Sequence, residues 1–436
     1  MKSFFSRLEL SFVLSGLLLL QPLAAVGFDD WPQWRGADQT SLSGESNLPD
    51  ILGEDNLLWR TELPGPAGAS PIVWGDRIFV TTADGDNLAL MCFCTQGELQ
   101  WQRSLEGKNS VTRMDKSNSA SPSPMTDGKH VWAMMNNGVM HCFTVDGDLV
   151  WKKDMQEEYG EFQIQFGMAT TPVWDGGKLY FQFIHGPMRE KGTSVGWVIA
   201  LDANDGSEVW KHERKTPATQ ENKHSYTSPV VYRSPSAEYL ITLGGDYAIG
   251  HSLKDGSEIW RCGGINPLDG YNPFLRLVSS PVCSKDLIVI PSAKRGPILG
   301  LEADSKHLQG DVTDVPEAHR WRIKRGTPDV ATPVIAGSRV YFAREDGVFV
   351  SADAQTGKLD YEERTLAGKH RGTPVVADGK IYVVGRDGKI VVLKTGPVHN
   401  VISEYDLGEQ TTASPAISNG RIFIRSHNAL YAFGKP

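Results

Sequence analysis

The segment Gly192-Thr193-Ser194-Val195-Gly196 has the spacing of a hydrolase nucleophile elbow, in which a serine sits on a sharp strand-to-helix turn. That chemistry needs a buried strand before the serine and a helix after it. Here Met188-Arg189-Glu190-Lys191 precedes the motif, and Trp197-Val198-Ile199-Ala200-Leu201 continues it as a strand, so the glycines serve a turn. Metal chemistry is no better supplied. The 11 histidines include no His-x-x-x-His pair and no Cys/His cluster at zinc spacing. His212-Glu213 lacks the second histidine of a zincin helix. Gly357-Lys358 and Gly379-Lys380 lack the following Ser or Thr of a phosphate loop, and the recurrent Asp-Gly pairs are hairpin turns. No catalytic or metal-ligating residue is assigned.

A more regular set of hydroxyls remains: Ser70, Ser123, Thr171, Ser228, Ser280, Thr332, Thr373 and Ser414, each followed by proline. They mark an internal repeat, the strongest signal in the chain. One unit reads Ser/Thr-Pro, two or three apolar residues, a Gly or Asp turn, then Arg or Lys and an alternating apolar strand. The seventh residue after the proline is Ile78, Val131, Leu179, Val340, Ile381 or Ile422 in the clearest copies. Ser228-Pro229 carries an insertion and Ser280-Pro281 is one residue short. The unit ends on a Gly turn with an aromatic four residues on, as in Gly97/Trp101, Gly147/Trp151, Gly206/Trp210, Gly256/Trp260 and Gly357/Tyr361. Trp321 and Tyr405 close units with longer inserts. The eighth unit ends at Phe433 without such an aromatic, and Trp59 supplies one from the other end of the chain.

Short runs of β-branched and aromatic residues at period two, bounded by turn residues, predict four strands per unit. Such a sheet cannot bury both faces alone, so blades pack face to face around an axis and closure protects their edges. Residues 57–436 divide into units near the ~40–50-residue period of propellers. The expected fold is all-β: an eight-bladed β-propeller of four-stranded antiparallel blades, closed by an N-terminal strand. The hydroxyls fall on the innermost strands near the axis, where they are expected to bond the backbone of adjacent strands. Trp59, Trp101, Trp151, Trp210, Trp260, Trp321, Tyr361 and Tyr405 fall on the outermost strands, wedged against the neighbouring blade.

The formal net charge of -8 and the absence of a basic run argue against nucleic acid and anionic membrane surfaces as partners. Residues 1–27 read as a signal peptide: Lys2 and Arg7, an apolar Leu8–Leu20, and Ala25-Val26-Gly27 at the cleavage site. No cysteine follows the apolar run, so no lipid anchor is expected, and no later segment is a membrane span. The mature chain, a lead-in at 28–56 and a propeller at 57–436, is expected as a monomer in the periplasm or outside the cell. An odd cysteine count (Cys92, Cys94, Cys142, Cys262, Cys283) leaves at least one thiol outside any intramolecular pair. Cys92 and Cys142 recur at one place in consecutive units, as small apolar strand residues.

Ala200-Leu201-Asp202-Ala203-Asn204-Asp205-Gly206-Ser207-Glu208-Val209-Trp210 resembles the tryptophan-docking motif of pyrroloquinoline-quinone (PQQ) repeat propellers. The resemblance covers essentially the whole mature chain. Asp30-Trp31-Pro32-Gln33-Trp34-Arg35-Gly36 is similar to the start of exported PQQ-like proteins. This superfamily includes quinoprotein alcohol dehydrogenases and the non-enzymatic outer-membrane assembly factor BamB, both eight-bladed. The dehydrogenases imply PQQ between a tryptophan and a disulfide of adjacent cysteines, with calcium held by Glu, Asn and Asp. This chain has no Cys-Cys pair, only Cys92-Phe93-Cys94, so no cofactor is expected and PQQ with calcium is the alternative.

Function is then expected on the face with the long connections, at 102–120, 152–169, 211–226 and 261–278, together with the loop at 182–196. These carry aromatics and arginines of the kind enriched at interfaces: Tyr159, Phe162, Phe166, Tyr226, Tyr271, Phe274, Arg276 and Arg295. The expectation is a non-catalytic scaffold binding a protein or envelope component there, with a PQQ/calcium oxidoreductase as the alternative.

Overall fold

A computed structural model describes residues 30–109, 118–189, 194–266 and 270–435. The expected signal peptide lies outside the described residues. Eight antiparallel blades follow one another around an axis, beginning with innermost strands such as Ile72–Trp74, Val173–Asp175 and Val375–Ala377. In the inner three strands nearly every residue is buried, because both faces pack on neighbouring blades; the outermost strands alternate, as in Leu57–Glu62. Blade four gains a short fifth strand, Gly310–Asp311, which comes from an insert in blade five and pairs parallel with Glu258–Cys262. Among the described residues, no helix is long and apolar enough to cross a membrane.

The last blade is completed from the start of the chain. Leu57–Glu62 pairs antiparallel with Ala429–Gly434, placing Trp59 opposite Ala432 on the outermost position. Arg60 and Tyr431, one on each strand, both bond the Glu409 carboxylate, at 2.8 and 2.6 Å.

The repeated Gly and Trp are two halves of one contact. The indole N–H of Trp59, Trp101, Trp151, Trp210 and Trp321 donates to a turn carbonyl of the next blade, at Thr95, Val145, Ala203, Leu253 and Ala354, over 2.8–3.2 Å. The ring then lies over the turn glycine. Gly256, for example, has φ +75°, and a Cβ there would sit 2.5 Å from the Trp210 ring. Beneath each ring the partner strand carries a small residue, Cys92 under Trp101, Cys142 under Trp151, Ala200 under Trp210 and Gly300 under Trp321. Trp260 is fully buried instead; the equivalent acceptor, the Ala303 carbonyl, is taken by the Tyr239 hydroxyl at 2.6 Å. Tyr361 is directly opposite Ser351, in the same register as the tryptophans. Tyr405 is not: Ser403 holds that register position, and Tyr405, two residues on, meets Phe433 of blade eight edge-on at 5.8 Å.

The lead-in winds across one end of the ring. The innermost strands are edges, so their outward amides need partners from elsewhere. The amide two residues after the repeat proline is served in five blades by one short segment. Val73 N–H donates to Trp31 O, Thr126 to Pro32 O, Trp174 to the Gln33 side chain, Val231 to the Gln39 side chain, and Val376 to Ser41 O. Arg35 reaches the Pro281 carbonyl of blade five at 2.8 Å, and Trp34 the Ser414 hydroxyl of blade eight at 3.2 Å.

Candidate functional site

At the axis the eight repeat hydroxyls form a closed circle. Each accepts the backbone N–H of the preceding blade's own ring residue: Ser70 to Ser123, Ser123 to Thr171, Thr171 to Ser228, Ser228 to Ser280, Ser280 to Thr332, Thr332 to Thr373, Thr373 to Ser414, and Ser414 back to Ser70. All eight distances fall between 2.9 and 3.2 Å. Proline follows each hydroxyl and brings no N–H of its own, which simplifies the amides this edge must satisfy. The bonding role expected of the hydroxyls is thus observed.

The residue two positions before each hydroxyl forms a second layer. Six of the eight are Gly68, Ser121, Ala169, Val278, Val330 and Thr412, which leave room; the others are Tyr226 and Arg371. The channel is therefore a funnel, with Trp34 of the lead-in lining it beside the hydroxyls. Its upper part is a cavity of about 330 Å³ that reaches Phe166, Arg276, Lys294, Asp329 and Glu345. Burial pushes the Asp329 carboxyl above its ordinary range, against the Lys294 amide that bonds it at 3.0 Å. Arg371 pairs with Glu345 at 2.9 Å.

The aromatics expected to be exposed on this face are mostly packed. Tyr159, Phe166 and Tyr226 are buried, a correction to the sequence reading. The long connections fold Tyr159 back onto the core of blades two and three, while Phe166 and Tyr226 pack into the wall of the funnel. The Tyr159 hydroxyl donates to Glu208 at 3.0 Å, and Phe162 packs on Phe183 with the rings tilted and centroids 4.8 Å apart. Phe166 lies between Tyr226 and the Arg276 guanidinium, which pairs with Glu221. Tyr271 donates to the buried Asp246 carboxylate at 2.7 Å, which Asn222 and Asn266 also bond. Burial raises the Asp246 pKa, and these hydrogen bonds pull against it. Only Phe274, 53% exposed, and Arg295 present themselves to solvent.

The charged rim on blades five to seven was not singled out in the sequence. Lys294, Asp329, Glu345 and Arg371 stand on connections shorter than those of blades two to four. The repeat register carries one signal that finds Arg371, the position two before the ring hydroxyl. Parts of the expected long connections are strand: Gln182–His185 ends Lys178–His185, and Ser194 opens Ser194–Asp202. That strand continues past Ser194 with no helix; Gly192 and Thr193 lie outside the described residues. Cys92 and Cys142 are buried beneath their tryptophans, and burial pushes both thiols up to about 12.

A family model described as outer membrane protein assembly factor BamB matches residues 93–296 and 313–435. A search of curated proteins found no match. Among solved structures, BamB from Moraxella catarrhalis superposes with a TM-score of 0.61 at 15% identity, over 86% of this chain and 99% of that one. Quinohemoprotein alcohol dehydrogenase from Comamonas testosteroni gives 0.67 at 13% identity, over 93% and 80%. A europium-containing methanol dehydrogenase gives 0.65 at 12%, over 93% and 98%. At these identities the structural likeness establishes a shared fold, and shared folds host unrelated functions.

Proposed function

The chain belongs to the family described as outer membrane protein assembly factor BamB, and from that premise we propose an exported, non-catalytic propeller that binds a protein or cell-envelope component through its funnel face. The observation that carries the proposal is the asymmetry of the two ends. One is crossed by the lead-in, whose backbone and side chains are spent on the innermost strands. The other keeps a cavity ringed by charged groups with Phe274 exposed beside it.

The residues present do not fit the quinone clamp of the dehydrogenases. Cys92 and Cys94 stand on the third strand of blade one, Cys92 beneath Trp101 and away from the axis. The funnel carboxylates Asp329 and Glu345 are already engaged by the Lys294 amide and by Arg371. No group of three His, Cys, Asp or Glu suited to a metal occurs among the described residues.

The test is site-specific crosslinking in the intact envelope. A photoreactive residue at Phe274 should yield a discrete adduct, and one at Ile51 of the lead-in, 61% exposed, should not. Equal labelling from both positions, or dye reduction by the purified protein with PQQ and calcium, would overturn the proposal.

A further inference from the structure

The funnel cavity continues outward into a second cavity of about 360 Å³, and the two share Lys294, Asp329 and Glu345. Together they form a trough from the axis across blades five to seven. Six basic side chains line it: Arg276, Lys294, Arg295, Arg344, Lys369 and Arg371. Three carboxylates oppose them, on a chain whose net charge is -8.

Internal pairing uses up those carboxylates. Glu345 takes Arg371 at 2.9 Å, Asp346 takes Arg344 at 2.6 Å, and Asp329 accepts the Lys294 backbone N–H. Arg344 also pairs with Glu362, and Arg276 with Glu221. Lys294, Arg295 and Lys369 are exposed, and among the described residues none forms an ion pair within 4 Å, although the Lys294 charge acts on the Asp329 carboxyl. The Lys294 ammonium donates to the Phe274 carbonyl at 2.5 Å, which brings this end of the trough to the residue whose ring is exposed.

The backbone here is also unusual. Lys294 and Arg295 are consecutive non-glycine residues with φ +47° and +68°, and Asp329 has φ +70°. L-residues rarely adopt that region, and such conformations persist where the surroundings impose them, often at ligand-binding positions. The result is a constrained backbone at Lys294 and Arg295, from which two cations project around cavities sized for a few side chains each.

We propose that this trough docks an extended, acidic segment of a partner protein, its carboxylates meeting Lys294, Arg295 and Lys369 and an apolar side chain meeting Phe274. The inference rests on the protein-binding reading above and adds the chemistry of the partner. Complementary charge would speed encounter and reject basic competitors on this otherwise acidic molecule.

The test measures fluorescence anisotropy with a labelled oligoglutamate peptide, an oligolysine peptide of equal length, and free citrate as competitor. The expected result is salt-sensitive binding of oligoglutamate alone, weakened about tenfold or more by Arg295→Glu with Lys369→Glu. Lys254→Glu, on an exposed turn of blade four, should leave it unchanged. Absence of binding at low salt, equal loss in Lys254→Glu, or competition by citrate as tight as by the peptide would each overturn the inference. The parent reading is scored separately by the Phe274 adduct in the envelope. An adduct undiminished in the double reversal removes only the acidic segment, and no adduct in the native sequence removes the parent reading.

Discussion

The backbone N–H of Ser414 donates to the hydroxyl of Ser70 at 2.9 Å, joining residues 344 apart and completing the circle at the axis. Ser70→Ala removes that acceptor and leaves a buried amide unpaired. The expected loss is about 1–2 kcal/mol in urea unfolding, and Ser70→Ala with Ser228→Ala should be roughly additive, since the two share no partner. A loss near zero for both would show that water in the channel replaces the hydroxyls.

Trp210→Ala is expected to destabilise by about 3–5 kcal/mol, the range for buried large-to-small aromatic changes. Trp260→Ala should fall in the same range although its indole N–H bonds nothing, because packing rather than the hydrogen bond dominates. Gly256→Ala tests the other half of the contact, since its Cβ would press on the Trp210 ring and its φ is +75°. A cost of about 1–3 kcal/mol is expected there. If Gly256→Ala costs no more than the same change at Gly337, whose φ is +57° and whose Cβ would meet open space, the glycine is a turn residue and nothing more.

Burial raises the Glu409 carboxyl, but hydrogen bonds from Tyr431, Ser426 and Arg60 outweigh it and bring the pKa down to about 2. A carboxyl depressed in the folded state stabilises at neutral pH, and that contribution fades as pH falls from the ordinary carboxylate range towards the folded value. Glu409→Gln should therefore cost about 1–2 kcal/mol at pH 7, after allowing for solvent screening at this half-buried site. The gap from the native protein should close as unfolding is measured below about pH 4. A gap independent of pH would assign the effect to packing.

Phe274→Ala should leave thermal stability nearly unchanged, whereas Phe162→Ala and Tyr271→Phe should lower it. Phe162 packs on Phe183, and losing the Tyr271 hydroxyl strips a hydrogen bond from a buried carboxylate, worth about 1–3 kcal/mol. Differential scanning fluorimetry separates the two classes. Equal melting shifts for all three would mean Phe274 covers the core after all.

The fold was legible because each repeat restates it. Ser/Thr-Pro recurs eight times and the turn glycine with its aromatic five times, all local signals, and the surplus Trp59 at one end with a missing aromatic at the other gives the closure. Tyr405 shows the limit: counting from the Gly turn cannot register a blade whose turn has been rebuilt, and the aromatic there is displaced by two. The site was harder to read. Tyr159, Phe166 and Tyr226 look like interface aromatics by type, yet whether a long connection turns outward or folds back is settled by contacts distant in sequence. The lead-in was opaque for the same reason. Gln33 and Gln39 have no periodicity, and their partners, Trp174 and Val231, lie in blades three and four.

That lead-in has a consequence for the order of events in folding. A ring of repeats in which each touches only its neighbours can form and open piecemeal. Here a single stretch within Trp31–Glu45 bonds seven of the eight blades, from Val73 in the first to Gly420 in the last. The bonds this stretch makes to Ser414 and Gly420 cannot form until the last blade is in place. Once docked, the stretch ties distant blades to one another, so that loss of any one blade is felt across the ring.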